Sequence, residues 1–230
     1  MKIFIITFVL IKCISAQDYI ISVFGFPIAE VKQIHTHHDN IIYETRNTGI
    51  ADLIWPTNNI YSTQFDSSSF GIRGWSKNIR QGEHKNKISI EFDSTTTELL
   101  YDSKKKVQIT DSTQTIFTLL AMVQTADYRE LDTRWFSFEH EGQLGKARFV
   151  WSDTATVTYR KNKVLCDHYR LDIILNDDSG KFWENSDYFM AKIVASDIVR
   201  QLWISRESEK RIIQASINTM GLQVIALIYE

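Results

Sequence analysis

Cysteine is almost missing from this chain: only Cys13 and Cys166 occur in 230 residues. No disulfide framework can staple the fold, so it must hold by its core. Proline is rarer than chance (2) and glycine sparse (9). Turns must therefore be made largely by Asn, Asp, Ser and Lys. No apolar run approaches the ~20 residues that cross a bilayer as a helix. There is no basic excess either, with 26 Lys and Arg against 28 Asp and Glu. That balance argues against a nucleic-acid partner, whose phosphates select clustered positive charge. Gly-rich phosphate loops, Gly-x-Ser-x-Gly, His-Glu-x-x-His and calcium-loop patterns are all absent.

What is present begins with an export signature. Residues 1–16, "MKIFIITFVLIKCISA", place Lys2 before a short apolar stretch from Ile3 to Ile11, with small residues before a cut near Ala16 or Gln17. We expect a signal peptide over 1–16 and a single domain over 17–230. A lipid anchor through Cys13 is the lesser reading, because Lys12 is not the small residue that such a signal wants. Loss of Lys2 and Lys12 leaves 24 basic against 28 acidic residues, a net charge of −4. Cys166 is then the sole cysteine. The expected location is periplasmic or secreted, in a bacterium.

The dominant pattern is two-residue alternation, the mark of half-buried strands. In "KISIEFD" Ile88, Ile90 and Phe92 face one way, and Lys87, Ser89 and Glu91 the other. "GKARFVWSDTATVTY" sets Ala147, Phe149 and Trp151 against Lys146, Arg148 and Val150. "LQVIALIY" is nearly all apolar and should be covered on both faces. Polar breaks such as "HHDN", "RQGE", "RKNK" and "SRESEK" separate these runs as hairpin loops do. The pattern predicts roughly ten to twelve strands in an antiparallel meander. One helix is expected in "DSTQTIFTLLAMVQTA" (111–126), capped by Asp111 or Ser112, with one apolar stripe on the sheet. "NSDYFMAKIVAS" is a weaker candidate for a second helix. A sheet of this many strands curls or splits. The expected fold is mainly β: a curved antiparallel sheet or partly open barrel with a helix packed on it.

Chemistry-bearing residues are few. His35 and His37 lie two apart, where strand neighbours share a face, so they are candidate metal ligands. Glu30 and His84 are the only tempting third donors. The simpler account is a hairpin tip at "THHDN" with solvated imidazoles. Cys166 and His168 share a strand face, but ~6.5 Å between their Cβ atoms makes contact awkward, and an unpaired cysteine is commonly small core filler. "SKKK" (103–106) has Ser-x-x-Lys spacing in an apparent loop, and Asp177–Asp178 sit in turn-like sequence. Core packing would account for most of Trp55, Trp75, Trp135, Trp151, Trp183 and Trp203.

The order of segments adds a resemblance. "SVFGFPIAEVKQ", "TGIADLIWPTNNIYSTQFD", "IRQGEHKNKISIEFD" and "LWISRESEKRIIQASINTMGLQVIALIYE" follow one another with a central helix between the last two. The chain resembles DUF3108, a family of exported bacterial proteins, over nearly all of its mature length. The resemblance implies an envelope location and a strongly curved antiparallel sheet, and it transfers no reaction and no catalytic residue. The expectation is a non-enzymatic binding or carrier module for an apolar, lipid-like ligand on the concave face, with no cofactor. The alternative is a structural protein of the envelope that binds a protein partner. An enzyme comes third and would rest on the histidine pair or on Cys166–His168.

Overall fold

The computed structural model describes residues 15–102, 105–176, 187–219 and 221–229. The signal segment, Cys13, Asp177–Asp178, Trp183 and half of "SKKK" lie outside the described residues. The alternation becomes strands β1 (Ser15–Val23), β2 (Phe26–His37), β3 (Asn40–Asn47), β4 (Asn58–Phe65), β5 (Ile72–Gln81) and β6 (His84–Asp93). Short strands β7 (Glu98–Tyr101) and β8 (Lys105–Gln108) complete the first half. The second half holds β9 (Trp135–His140), β10 (Gln143–Tyr159), β11 (Asn162–Leu175), β12 (Val199–Ser205), β13 (Ile212–Thr219) and β14 (Leu222–Ile228). Four helices are described: α1 (Gly49–Ile54), α2 (Ile116–Val123), α3 (Tyr128–Leu131) and α4 (Tyr188–Val194).

All fourteen described strands form one antiparallel sheet in the order β8-β7-β6-β5-β4-β3-β2-β1-β14-β13-β12-β11-β10-β9. The first and last strands of the chain meet in its middle, where Tyr19 pairs with Ile228 and Val23 with Val224. The expected meander is therefore correct, and the strand count exceeds expectation because β7 and β8 are too short to show a rhythm. In β6 the predicted faces hold, with Ile88 and Ile90 buried and Lys87, Ser89 and Glu91 exposed.

The sheet does not close by hydrogen bonds between β8 and β9. It closes by side chains. The β9–β10 turn packs against β5–β7, where Tyr101 donates to Glu139 and the Gly142 amide donates to the Tyr101 hydroxyl at 2.8 Å. The Lys77 ammonium pairs with the Glu141 carboxylate, and both are almost wholly buried. Leu144 joins the small cluster of Ile72, Ile88, Ile90, Leu99, Tyr101, Val107 and Ile109. The chain between β8 and α2 crosses the same seam. Gln114 makes a single parallel rung on Phe138, and the Ile72 amide donates to the Thr113 carbonyl at 2.9 Å. Gly71 permits this crossing, since a Cβ there would stand 1.8 Å from the Asp111 carbonyl oxygen.

Three expectations need correcting. Helix α2 starts later than the polar run suggested: Thr115 caps it, in a reciprocal box with Thr118, because residues through Gln114 are drawn out along β9. It also shows no single stripe. Ile116, Thr118, Leu119, Ala121, Met122 and Val123 are all buried, so the curled sheet encloses the helix. Strand β14 is not covered on both faces. Val224, Ile225, Ala226 and Leu227 are only half-buried, because the inner face of this strand looks onto a cavity.

Removing one member of the seam's ion pair strands a buried charge. Lys77→Met should cost about 3–5 kcal/mol in urea unfolding. The double variant Lys77→Met/Glu141→Leu should recover most of that loss.

Candidate functional site

A cavity of about 180 Å³ lies inside the curl and is partly open to solvent. Its wall runs around the barrel. Tyr19, Ile21, Val31 and Tyr43 come from β1–β3, and Leu202, Ile217, Val224 and Ala226 from β12–β14. Phe117 and Leu120 of α2 form one side; Phe189, Met190 and Ile193 of α4 form another. β1 and β14 contribute to this wall, and α2 fills only part of the interior beside them.

The floor is a closed ring of polar side chains. The Tyr19 hydroxyl donates to Gln17 Oε1 at 2.7 Å, and Gln17 Nε2 donates to Gln124 Oε1 at 2.9 Å. Gln33 Nε2 reaches the same oxygen at 3.2 Å, and the Tyr43 hydroxyl donates to Gln33 Oε1 at 3.0 Å. Gln124 Nε2 is satisfied by the Leu120 carbonyl at 2.9 Å. Burial pushes both tyrosine hydroxyls well above their ordinary pKa, so the ring is neutral. Each amide is paired, which leaves the floor sealed rather than sticky.

Helix α4 is pinned across the cavity at both ends. Asp187, fully buried, accepts from the Phe189 and Met190 amides at 3.1 and 3.2 Å. Its carboxylate also receives the Tyr61 hydroxyl at 2.8 Å and Gln81 Nε2 at 2.9 Å. At the other end Arg200 donates to the carbonyls of Ile193, Ala195 and Ile198. A cation on the last carbonyls of a helix is the arrangement its dipole favours.

Ile21, Arg200, Ile217 and Val224 line the end of the cavity toward which β1 and β3 finish and β12 and β14 begin. That end carries an exposed apolar rim. Phe24 and Phe26 flank Gly25 at 75% and 73% exposure, and Leu53 and Ile54 of α1 reach 84% and 78%. Ile50 and Trp55 stand beside them, and the Thr48 amide ties the base of α1 to the Ile28 carbonyl at 2.9 Å. A grouped apolar surface of this kind marks contact with something other than water.

The His37 side chain lies outside the described residues; the other residues singled out in the sequence are not brought together. A bulge interrupts the register between His35 and His37. His35 is half-buried, and its Nε2 takes the Gln33 amide at 2.7 Å, so the ring belongs to the floor of the barrel. Burial lowers its pKa. His38 and Asp39 form the turn, and His38 is exposed. Glu30 is engaged by Arg46 at 2.6 Å, and His84 packs edge-on to Tyr188 at 5.6 Å. Among the described residues no group of three His, Cys, Asp or Glu is placed to hold a metal ion. Cys166 is fully buried in the core, and burial raises its pKa to about 11. His168 stacks on Trp203 with ring centroids 4.5 Å apart and points Nδ1 at Asp153, 3.0 Å away. Of the five described tryptophans, Trp75, Trp151 and Trp203 are half-buried and pack against the core as expected, whereas Trp55 and Trp135 are exposed.

Beside the cavity, Trp75, Lys77, Thr115, Phe117, Glu139, His140 and Glu141 surround a pocket of only 30 Å³. Lys77 is occupied by Glu141, and the cluster has no nucleophile poised for attack. It serves the seam. The residues that matter in both places were visible as polar letters in apolar phase: Gln33 two from Val31, Lys77 two from Ile79, Arg200 two from Leu202.

No family model and no curated protein matches the sequence. Among solved structures the chain is similar to a β-barrel-like protein of a domain of unknown function, DUF1849, from Brucella abortus. That match has a TM-score of 0.56 at 8% identity, covering 94% of this chain and 96% of that one. A second similarity is to the hypothetical lipoprotein YmcC from Escherichia coli (K12), at TM-score 0.34 and 8% identity, covering 95% and 86%. The first likeness establishes the β-barrel-like fold; the second is too loose to argue from.

Burial raises the pKa of the Glu139 carboxyl, against the opposing bonds from Tyr101, the Gly142 amide and Trp75 and the charge of Lys77. A raised folded-state pKa adds stability that is full below the unfolded value of about 4.3 and fades as pH climbs through the folded value. Glu139→Gln escapes that loss. Its stability relative to wild type should rise as pH climbs from about 4.3 and level off once pH passes the raised folded-state value, in paired urea titrations. A flat difference would place the proton elsewhere.

Proposed function

We propose that this chain is an exported, non-enzymatic binding or carrier protein of the bacterial envelope, holding an apolar, lipid-like ligand in the barrel cavity. The observation that carries this reading is the apolar, partly open cavity, in a barrel with exposed apolar side chains at one end. Its size limits the ligand. A void of about 180 Å³ is close to the ~150 Å³ that takes up benzene and below the ~300 Å³ of ordinary small-molecule sites. One aliphatic chain fits; a diacyl lipid would enter by one tail only. The sealed floor would stop that chain at Tyr43 and Gln33.

The export part rests on Lys2, the Ile3–Ile11 stretch and the small residues up to Ala16. A mature domain from 17 to 230 would lose only the first two residues of β1 and keep Gln17 in the floor ring. The segment order shared with DUF3108 supports the same location, with attachment through Cys13 as the lesser form. No described helix is long and apolar enough to cross a membrane. The exposed rim favours a second reading, in which this end of the barrel contacts a protein of the envelope.

The test uses an uncharged apolar naphthylamine fluorophore. The mature chain should bind it with a blue shift and about one site per chain. Ala226→Trp, which fills the cavity wall, should weaken binding at least about tenfold while far-ultraviolet dichroism is unchanged, a loss of roughly 1.4 kcal/mol. Native mass spectrometry of protein taken from cells should then show a co-purifying lipid. Bare protein that neither takes up the fluorophore nor carries lipid, yet crosslinks to an envelope partner, would favour the second reading.

A further inference from the structure

Arg200 differs from every other group on the cavity wall. The wall is otherwise apolar or neutral, its polar members being Gln33, Thr45, Gln201, Ser216 and tyrosine hydroxyls. The Arg200 side chain is buried to 4% exposure, and it sits at one end of the cavity, paired in register with Ile217, which in turn pairs with Val224. Nε donates to the Ile193 carbonyl at 2.5 Å, and Nη1 to the carbonyls of Ile198 at 3.0 Å and Leu171 at 3.4 Å. Nη2 donates to the Ala195 carbonyl. Every acceptor is a neutral carbonyl. Four contacts on five N–H groups also leave one donor over.

Among the described residues no carboxylate forms a direct ion pair with Arg200. Asp172, which is bonded to Arg148 at 2.9 Å and Arg170 at 2.8 Å, and Asp197 act on it only through space. Burial draws the guanidinium's pKa down to about 10, which leaves it cationic at neutral pH. A buried cation is costly unless an anion meets it, and a low-dielectric wall strengthens its pull on one. Below it the wall continues from the Val224 row to the Ile228 row, four strand residues or ~13 Å. The cavity is thus an apolar shaft with one positive charge at one end.

We propose that the ligand is a single-chain amphiphile with an anionic head, of the fatty-acid type: the carboxylate meets Arg200 at one end of the cavity and the tail runs toward Tyr43 and Gln33. This inference rests on the cavity being a binding site. It adds the sign of the head and the direction of the tail. A zwitterionic or cationic head would leave Arg200 without its anion, and an uncharged chain would gain only from burial.

The experiment compares decanoate, decanol and decyltrimethylammonium as displacers of the uncharged fluorophore from the full mature chain near pH 8. Decanoate should displace at least about tenfold better than decanol, and the cationic amphiphile should be the weakest. Arg200→Met should bring decanoate level with decanol, the two being compared within the variant so that any shift of α4 affects both alike. If that variant does not fold, wild type still decides: the advantage of decanoate should shrink as salt rises, whereas decanol displacement should not weaken. Equal displacement by decanoate and decanol overturns the anionic head and leaves the cavity reading standing. Failure of the fluorophore itself to bind overturns the cavity reading first.

Discussion

The seam between the two ends of the sheet is the constraint from which the rest follows. Fourteen twisted strands must curl, and curling brings the β9–β10 turn against β5–β7. No backbone hydrogen bonds run directly from β8 to β9, so the backbone of Thr113 and Gln114 and buried polar side chains, Lys77 to Glu141 and Tyr101 to Glu139, close the gap. A seam built this way fixes how tightly the sheet winds. The winding sets the internal width, and a width greater than α2 can fill leaves the cavity. The seam is therefore a shape-setting device as much as a source of stability, since a buried ion pair adds little net energy over apolar packing.

Much of this was legible in the sequence, and the gaps have physical causes. The rhythm of "KISIEFD" and "GKARFVWSD" identifies strands because one face meets water. The ending "LQVIALIY" breaks that logic: its inner face is apolar because it lines a void, and a void cannot be told from a core by composition. Helix α2 misled in a related way, as Ile116, Leu119 and Val123 look like a stripe until the curl covers Thr118 and Ala121 as well. The cap moved to Thr115 because a tertiary rung at Gln114 outweighed local capping by Asp111 or Ser112. Helix α1 was missed. Its apolar Ile50, Leu53 and Ile54 project to solvent, and no pattern distinguishes an exposed apolar helix from a strand.

The site was less legible than the fold. Conspicuous letters, the histidines near the first hairpin and the Cys166–His168 pair, turn out to be parts of the polar floor, a turn and the core. The consequential residues are quiet ones. Gln33, Lys77 and Arg200 each occupy a position where alternation calls for an apolar side chain, and each is buried. A polar residue out of place in a strand must find partners inside. Gln33 finds a ring of amides, Lys77 an acid across the seam, and Arg200 a helix end. That search for partners is what positions α4 over the cavity and seals its floor.

The most direct measurement of the central claim is a crystal of the mature chain grown with an ω-brominated fatty acid and recorded at the bromine absorption edge. The account predicts one anomalous peak among Tyr43, Gln33 and Phe117, with the carboxylate density beside Arg200. A peak confined to the outer rim near Leu53 and Phe24, or a cavity that holds only water, would contradict it.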